Sequence, residues 1–277
     1  MRAPRRPARF ALLLLACSLS ACLDRCGEQG PEALDPSDET DPALAPPAMS
    51  AGTLRALGPH VWEATLDVRG DAAGRFPSRE VSSELIWADL DRYQWEEIRG
   101  GKRQRQRQVG TRSFTLRNDG LWRETWSPAG GSFIHERTLT LWNQALGPFE
   151  RRVAWRRLAD DVIEERPVEV WRLELAPLPT VEGAEPLGPD EAADRLGLAT
   201  NPRTLTGTVY VDAATGNRLL AELDGSFSIR RIVGGGDPDD LVTVVYRERR
   251  QVSIVPPDVD APLPEEIFVP RAPGAPR

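Results

Sequence analysis

Cysteine, histidine and lysine are nearly missing from this chain. Among 277 residues there are three Cys and two His, and of the 35 basic residues only Lys102 is not arginine. The scarcity of cysteine and histidine removes whole classes of chemistry. His60 and His135 form no His-x-x-x-His pair, and no Cys-x-x-Cys spacing exists for a metal. No Gly-x-Ser-x-Gly or phosphate-cradling loop is present; Gly234-Gly-Gly236 runs into Asp237-Pro238 and reads as a turn. Asp160-Asp161, Glu164-Glu165 and Asp239-Asp240 are adjacent pairs in loop-like places and read as solvated turn charge. His60 precedes a strand-like segment and His135 a helix-like one, with no base-and-orienter pair beside either. No catalytic residue, metal or cofactor is expected, and the reading is non-enzymatic. The arginine bias most simply reports a GC-rich genome. The formal net charge of −7, with no basic tail, argues against nucleic acid as a partner.

Long apolar runs are also absent. The longest, Phe10–Ala16 extending to Leu19, falls well short of the roughly 20 residues that span a bilayer. It follows Arg2, Arg5, Arg6 and Arg9 and leads to Leu19-Ser20-Ala21-Cys22. A basic start, a short apolar core and small residues at the end have the order of a processed export signal. The tetrapeptide is similar to the lipobox of bacterial lipoproteins, whose cysteine is acylated before cleavage. The expectation is a signal peptide over 1–21 and lipidation at Cys22, so that membrane attachment comes from an N-terminal lipid. An ordinary secretory signal with a chance cysteine is the alternative. Cys17 then leaves with the signal and Cys26 stands alone, so the mature chain has no internal disulfide. Leu23 rather than Asp follows the cysteine; by resemblance to enteric sorting rules this favours the outer membrane, with the domain facing the periplasm.

Residues 22–50 read as a lipidated cysteine and a disordered acidic, proline-rich tether. Asp24, Glu28, Glu32, Asp35, Asp38, Glu39 and Asp41 stand against Arg25, and no apolar periodicity is present. Such a segment buries too little apolar surface to offset its ordering entropy. Residues 51–277 follow as a single mainly-β domain. Period-two alternation marks Val61–Val68, Ser83–Leu90, Tyr93–Ile98, Phe114–Arg117, Leu121–Trp126, Arg152–Leu158, Val168–Leu175, Gly207–Asp212, Arg218–Asp224, Leu241–Tyr246 and Gln251–Ile254. Asn118-Asp-Gly120 and Ala213-Ala-Thr-Gly216 are turns whose glycines suit positive φ. A helix is expected over Arg137–Leu146, with Leu139, Trp142 and Leu146 on one face and Gly147-Pro148 as its stop. Residues 178–203 read as an insertion or lid containing a short helix at Pro189–Gly197. The fold class is a curved antiparallel sheet, or half-open β-barrel, of about eight to eleven strands with a few short helices.

Eight tryptophans stand out. They suit either an aromatic core or the wall of an apolar concavity. Trp122 and Trp126, on one strand face, and Trp142, on the helix, are the candidate lining residues. Arg103, Arg105 and Arg107 share a face of the next strand-like run. They are either a solvated edge or a contact for anionic head groups near a membrane.

The lipobox, the polar tether, the long strands, the Leu-Trp helix and the hairpin Gly207-Thr-Val-Tyr-Val-Asp212-Ala-Ala-Thr-Gly216-Asn-Arg-Leu-Leu220 together resemble the LolA/LolB-like lipoprotein-carrier superfamily. The resemblance implies a half-open, strongly curved sheet around short helices, with a hydrophobic cavity for acyl chains. The expected function is that of an envelope lipoprotein binding a lipid or acylated protein in such a cavity. The alternative is a structural or partner-binding lipoprotein with a filled core.

Overall fold

A computed structural model describes residues 45–70, 78–126, 132–177, 200–229 and 241–268. The export signal, Cys22, the tether up to residue 44, Gly234–Gly236, the helix expected at Pro189–Gly197 and the rest of the insertion up to residue 199 lie outside these. Residues 200–203, also assigned to the insertion, open a strand.

Twelve strands make one sheet: β1 His60–Arg69, β2 Arg79–Asp89, β3 Arg92–Arg99, β4 Lys102–Val109, β5 Arg112–Leu116, β6 Trp122–Trp126, β7 Val153–Arg157, β8 Asp161–Ile163, β9 Arg166–Leu175, β10 Thr200–Asp212, β11 Arg218–Ile229 and β12 Leu241–Val252. Among the described residues two α-helices accompany them, α1 Ala51–Ala56 and α2 Ser132–Leu146, the latter running into a 3-10 turn at Gly147–Arg152. The spatial order is β6-β5-β4-β3-β2-β1-β12-β11-β10-β9-β7, with β8 paired to β9 off this path. All these neighbours are antiparallel. The sheet stays open between β6 and β7: a mainly-β, curved, unclosed sheet, one strand beyond the expected range. Its middle is made by the first strand meeting the last, so the centre depends on contacts distant in sequence.

Tight turns follow local chemistry. Gly100 and Gly101 both take positive φ (54° and 76°) between β3 and β4, the conformation that matches the strand twist of a hairpin. Gly120 (φ 78°) and Gly216 (φ 70°) take the positive φ expected of them. The β8–β9 turn uses Glu164 and Glu165 at φ 48° and 66°, where glycine or asparagine is the usual choice.

Alternation then builds the core. His60, Trp62, Ala64 and Leu66 turn one way from β1; Val81, Ser83, Leu85 and Trp87 join them from β2, and Val242, Val244, Tyr246, Glu248 and Arg250 from β12. Helix α2 closes this face with Ile134, Leu141, Trp142 and Ala145. Its start lies five residues before the expected one, which brings His135 inside the helix. Phe149 follows from the 3-10 turn, and its ring takes the place of a side chain at Gly225: a Cβ there would meet Phe149 Cζ at 2.5 Å.

Candidate functional site

The polar chemistry of the hairpin turn is structural. Asp212, at the end of β10, accepts a two-pronged pair from Arg166 (Nε to Oδ1 3.0 Å, Nη2 to Oδ2 2.9 Å) and the Thr215 backbone N–H (3.1 Å). Burial pushes its carboxyl up, but the Arg166 and Thr215 hydrogen bonds outweigh burial and hold it below the usual carboxylate range. Asn217 beyond the turn donates to Thr53 O at 2.6 Å and ties α1 to the sheet.

The cavity of interest lies between α2 and the sheet. Its volume is about 210 Å³. Leu139, Trp142 and Asn143 of α2 form one wall, and Trp155 of β7, Val209 of β10 and Arg218 of β11 form the other. Pro46, Pro47, Ala48 and Met49, assigned above to the tether, complete the lining. The next residue, Ser50, caps α1 through the Thr53 N–H (3.1 Å), so the segment ends at a fixed point on the body.

An ionic cluster sits at the inner end. Glu248 is wholly buried and bonds to four side chains. Arg218 Nε donates to Oε2 at 3.0 Å, Tyr246 Oη to Oε2 at 3.0 Å and Trp62 Nε1 to Oε1 at 3.0 Å; Arg250 Nη2 pairs with Oε1 at 2.9 Å. Ala64, opposite Glu248 in the register, leaves the room this group needs. Burial raises the Glu248 carboxyl, and the Arg218 and Arg250 charges outweigh burial to hold it below its ordinary value. Burial also draws Arg250 down to about 10 and pushes the Tyr246 phenol well up. The Arg218 guanidinium lies over Trp142 at 4.3 Å from the ring centroid, within cation–π range. Tyr246 meets the same ring edge-on at 5.5 Å.

Beside this cluster the two histidines come together, which their separation of 75 positions hid. Their rings are 6.1 Å apart, and His135 lies 3.9 Å from Trp87. His60 bonds through Nδ1 to Gly58 O at 2.8 Å; its Nε2 and both nitrogens of His135 are buried without a hydrogen-bond partner among the described residues. Burial first, then the Arg250 charge, pulls His60 down to about 3 and His135 to about 4. Both are neutral near neutral pH. Among the described residues the pair has no charged partner of opposite sign and no group of three or more His, Cys, Asp or Glu is placed to hold a metal, so this is a packed aromatic stack.

The structure divides the predicted tryptophan set. Trp142 lines the cavity. Trp122 does not: its register runs through Leu116 to Arg105, whose partner Glu96 points opposite to Trp95 of the core. Trp122 is therefore on the other face of the sheet, buried under Arg107 at 4.9 Å and paired with the chain end through Ile267 and the Phe268 N–H (2.8 Å). Trp126 ends β6, and its side chain lies outside the described part. A period of two fixes which residues share a face, but which face meets the helix is set by the whole sheet.

Arg103, Arg105 and Arg107 share this same outer face. Glu96 pairs with both Arg103 (3.1 Å) and Arg105. Arg107 donates to Gln94 Oε1 (2.6 Å) and to Asp260 O (3.4 Å). Trp155 and Arg218 are lining residues the sequence reading missed. Arg218 opens β11, where alternation groups it with Glu222 and Asp224 rather than with the core residues Ala221 and Leu223; the register shift at Tyr210/Val211, which pairs it with Val211, is what the sequence did not reveal.

No protein-family model matches the chain, and no curated protein matches it. Among solved structures it is similar to LprF from Mycobacterium bovis (12% identity, 80% of this chain and 99% of that one, TM-score 0.27). It is also similar to the lipoprotein LppX from Mycobacterium tuberculosis (11% identity, 76% and 97%, TM-score 0.26). A third is a LolA superfamily protein from Nitrosomonas europaea (9% identity, 80% and 99%, TM-score 0.21). A LolA superfamily member is among the solved structures the chain is similar to.

Proposed function

We propose that the protein is a non-enzymatic envelope lipoprotein, anchored by acyl chains on Cys22, that binds an apolar ligand in the cavity between α2 and the sheet. The outer membrane, with the domain facing the periplasm, is the proposed location. The cavity itself carries this reading. Leu139, Trp142, Trp155 and Val209 give it an apolar wall, and segment 46–49 covers it with exposed or half-buried residues rather than core side chains. An apolar group entering there leaves water without displacing a packed element. Arg103 and Arg105 already share Glu96, which weakens the case for head-group contact at that face.

One observation favours the second reading, a structural or partner-binding lipoprotein with no ligand. Most of the inner face is already packed, with Trp62, Leu85, Trp95, Ile134, Phe149 and Tyr246 buried against one another. Titration separates the two. The mature chain, residues 22–277 with Cys22→Ser to leave off the lipid, is titrated with dodecanol below micelle formation. A saturable change in tryptophan fluorescence and a rise in Tm are expected, since a ligand for the native state alone stabilises it by about 2.7 kcal/mol at 100 times its Kd. A flat titration favours the filled core.

A further inference from the structure

We propose that the cavity is built for a single-chain carboxylate amphiphile, its tail along Leu139, Trp142, Trp155 and Val209 and its carboxylate on the Arg218 guanidinium. This rests on the apolar-cavity reading above and specifies the ligand's head.

Charge balance is the first reason. Arg218 and Arg250 are both buried, and among the described residues Glu248 is the single carboxylate they share. Tyr246 and the nearby histidines are neutral, so the inner end of the cavity keeps one positive charge out of water. A buried charge without a full partner is costly, and an anion arriving there would offset that cost. The second reason is donor capacity. Arg218 lines the cavity, and its side chain is only 9% exposed. Its Nε is used by Glu248, while its buried Nη2 has no hydrogen-bond partner among the described residues; Arg250 Nε is in the same state. A guanidinium fork with free donors suits a planar carboxylate.

Third, beyond the Arg218 carbonyl, which accepts from Arg250 Nη1 at 3.2 Å, the acceptor the strap offers to this corner is a weak one. The Met49 thioether sulfur takes the Arg218 backbone N–H at 3.4 Å and Arg250 Nη1 at 4.0 Å. Met49 belongs to the strap over the cavity, whose neighbours Pro47 and Ala48 are exposed, so a charged oxygen has only a loosely covered sulfur to displace. Size selects the class of anion. At about 210 Å³ the cavity is below the roughly 300–1,000 Å³ of drug-sized sites, which favours one chain and a compact head.

The test compares dodecanoate, dodecanol and acetate on residues 22–277 carrying Cys22→Ser, read by tryptophan fluorescence and Tm. Dodecanoate is expected to bind at least about ten-fold tighter than dodecanol, the worth of a hydrogen bond to a charged group, while acetate has no effect at the same concentrations. Arg218→Gln should bring the dodecanoate-to-dodecanol ratio towards one. If that variant does not fold, the ratio in the unmutated chain and its fall with added salt still decide. Equal binding of acid and alcohol overturns the carboxylate assignment and leaves the apolar cavity standing. Acetate acting as strongly as dodecanoate overturns the tail and makes this a small-anion site. Absence of binding by both long-chain probes overturns the cavity reading and this inference together.

Discussion

Acid should unfold this protein through two side chains before its carboxylates titrate. His60 and His135 are fully buried and stacked with Trp87, and burial and the Arg250 charge hold them near 3 and 4. In the unfolded chain they titrate near the ordinary value of 6.5. Their folded values lie below their unfolded ones, so their full contribution is present above pH 6.5 and is lost as pH falls from 6.5 towards the folded values. In that window the unfolded chain binds more protons, and each histidine lowers the unfolding free energy by about 1.4 kcal/mol per pH unit. Two groups over the one and a half units from 6.5 to 5 amount to about 4 kcal/mol, a large share of the roughly 5–15 kcal/mol of a typical domain. Urea unfolding of residues 22–277 at about pH 7.5 and about pH 5 measures the difference. His135→Leu, which removes a ring whose nitrogens have no partner, should halve the loss to about 2 kcal/mol. Equal unfolding free energies at the two pH values would show that the pair protonates within the fold and would refute the reasoning.

Glu248→Ala strands two buried guanidiniums and should cost about 3–5 kcal/mol in urea unfolding; a loss below about 1 kcal/mol would mean that water reaches them. Glu165→Gly relieves a left-handed residue in the β8–β9 turn and should stabilise by about 1 kcal/mol, while Glu164, which accepts from Arg249 at 2.8 Å, is left in place. Cys22→Ala should abolish palmitate labelling and leave the precursor uncleaved; labelling equal to that of the unmutated chain would exclude Cys22 as the acylated residue.

Strands were the most legible part of the fold, because alternation is a local signal and most of them carry it. β8 escaped because three residues are too few for a period. Leu241–Tyr246 and Gln251–Ile254 read as two segments, since Arg247, Glu248, Arg249 and Arg250 break the apolar pattern; one strand runs from Leu241 through to Val252 because Glu248 and Arg250 pair in the core. α1 escaped for want of length, its boundary being set by the Ser50–Thr53 capping box. Of the candidate site, Trp142 was legible from its helical spacing. The separation of Trp122 from it was not, since it depends on which face of a twelve-stranded sheet the helix covers. Arg218 and Trp155 reach the cavity only through pairings across the sheet.

The cavity is most directly tested by filling it. Leu139 is half-buried on α2 and lines the space without belonging to the ionic cluster, so Leu139→Phe adds volume where room exists. The lipoprotein and this variant are purified alike from membranes, and non-covalently bound lipid is measured by native mass spectrometry. A ligand-binding cavity predicts near-stoichiometric lipid on the unmutated protein and its loss from Leu139→Phe, at an unchanged or higher Tm of the stripped protein. Equal lipid on both proteins, or none on either, would contradict it.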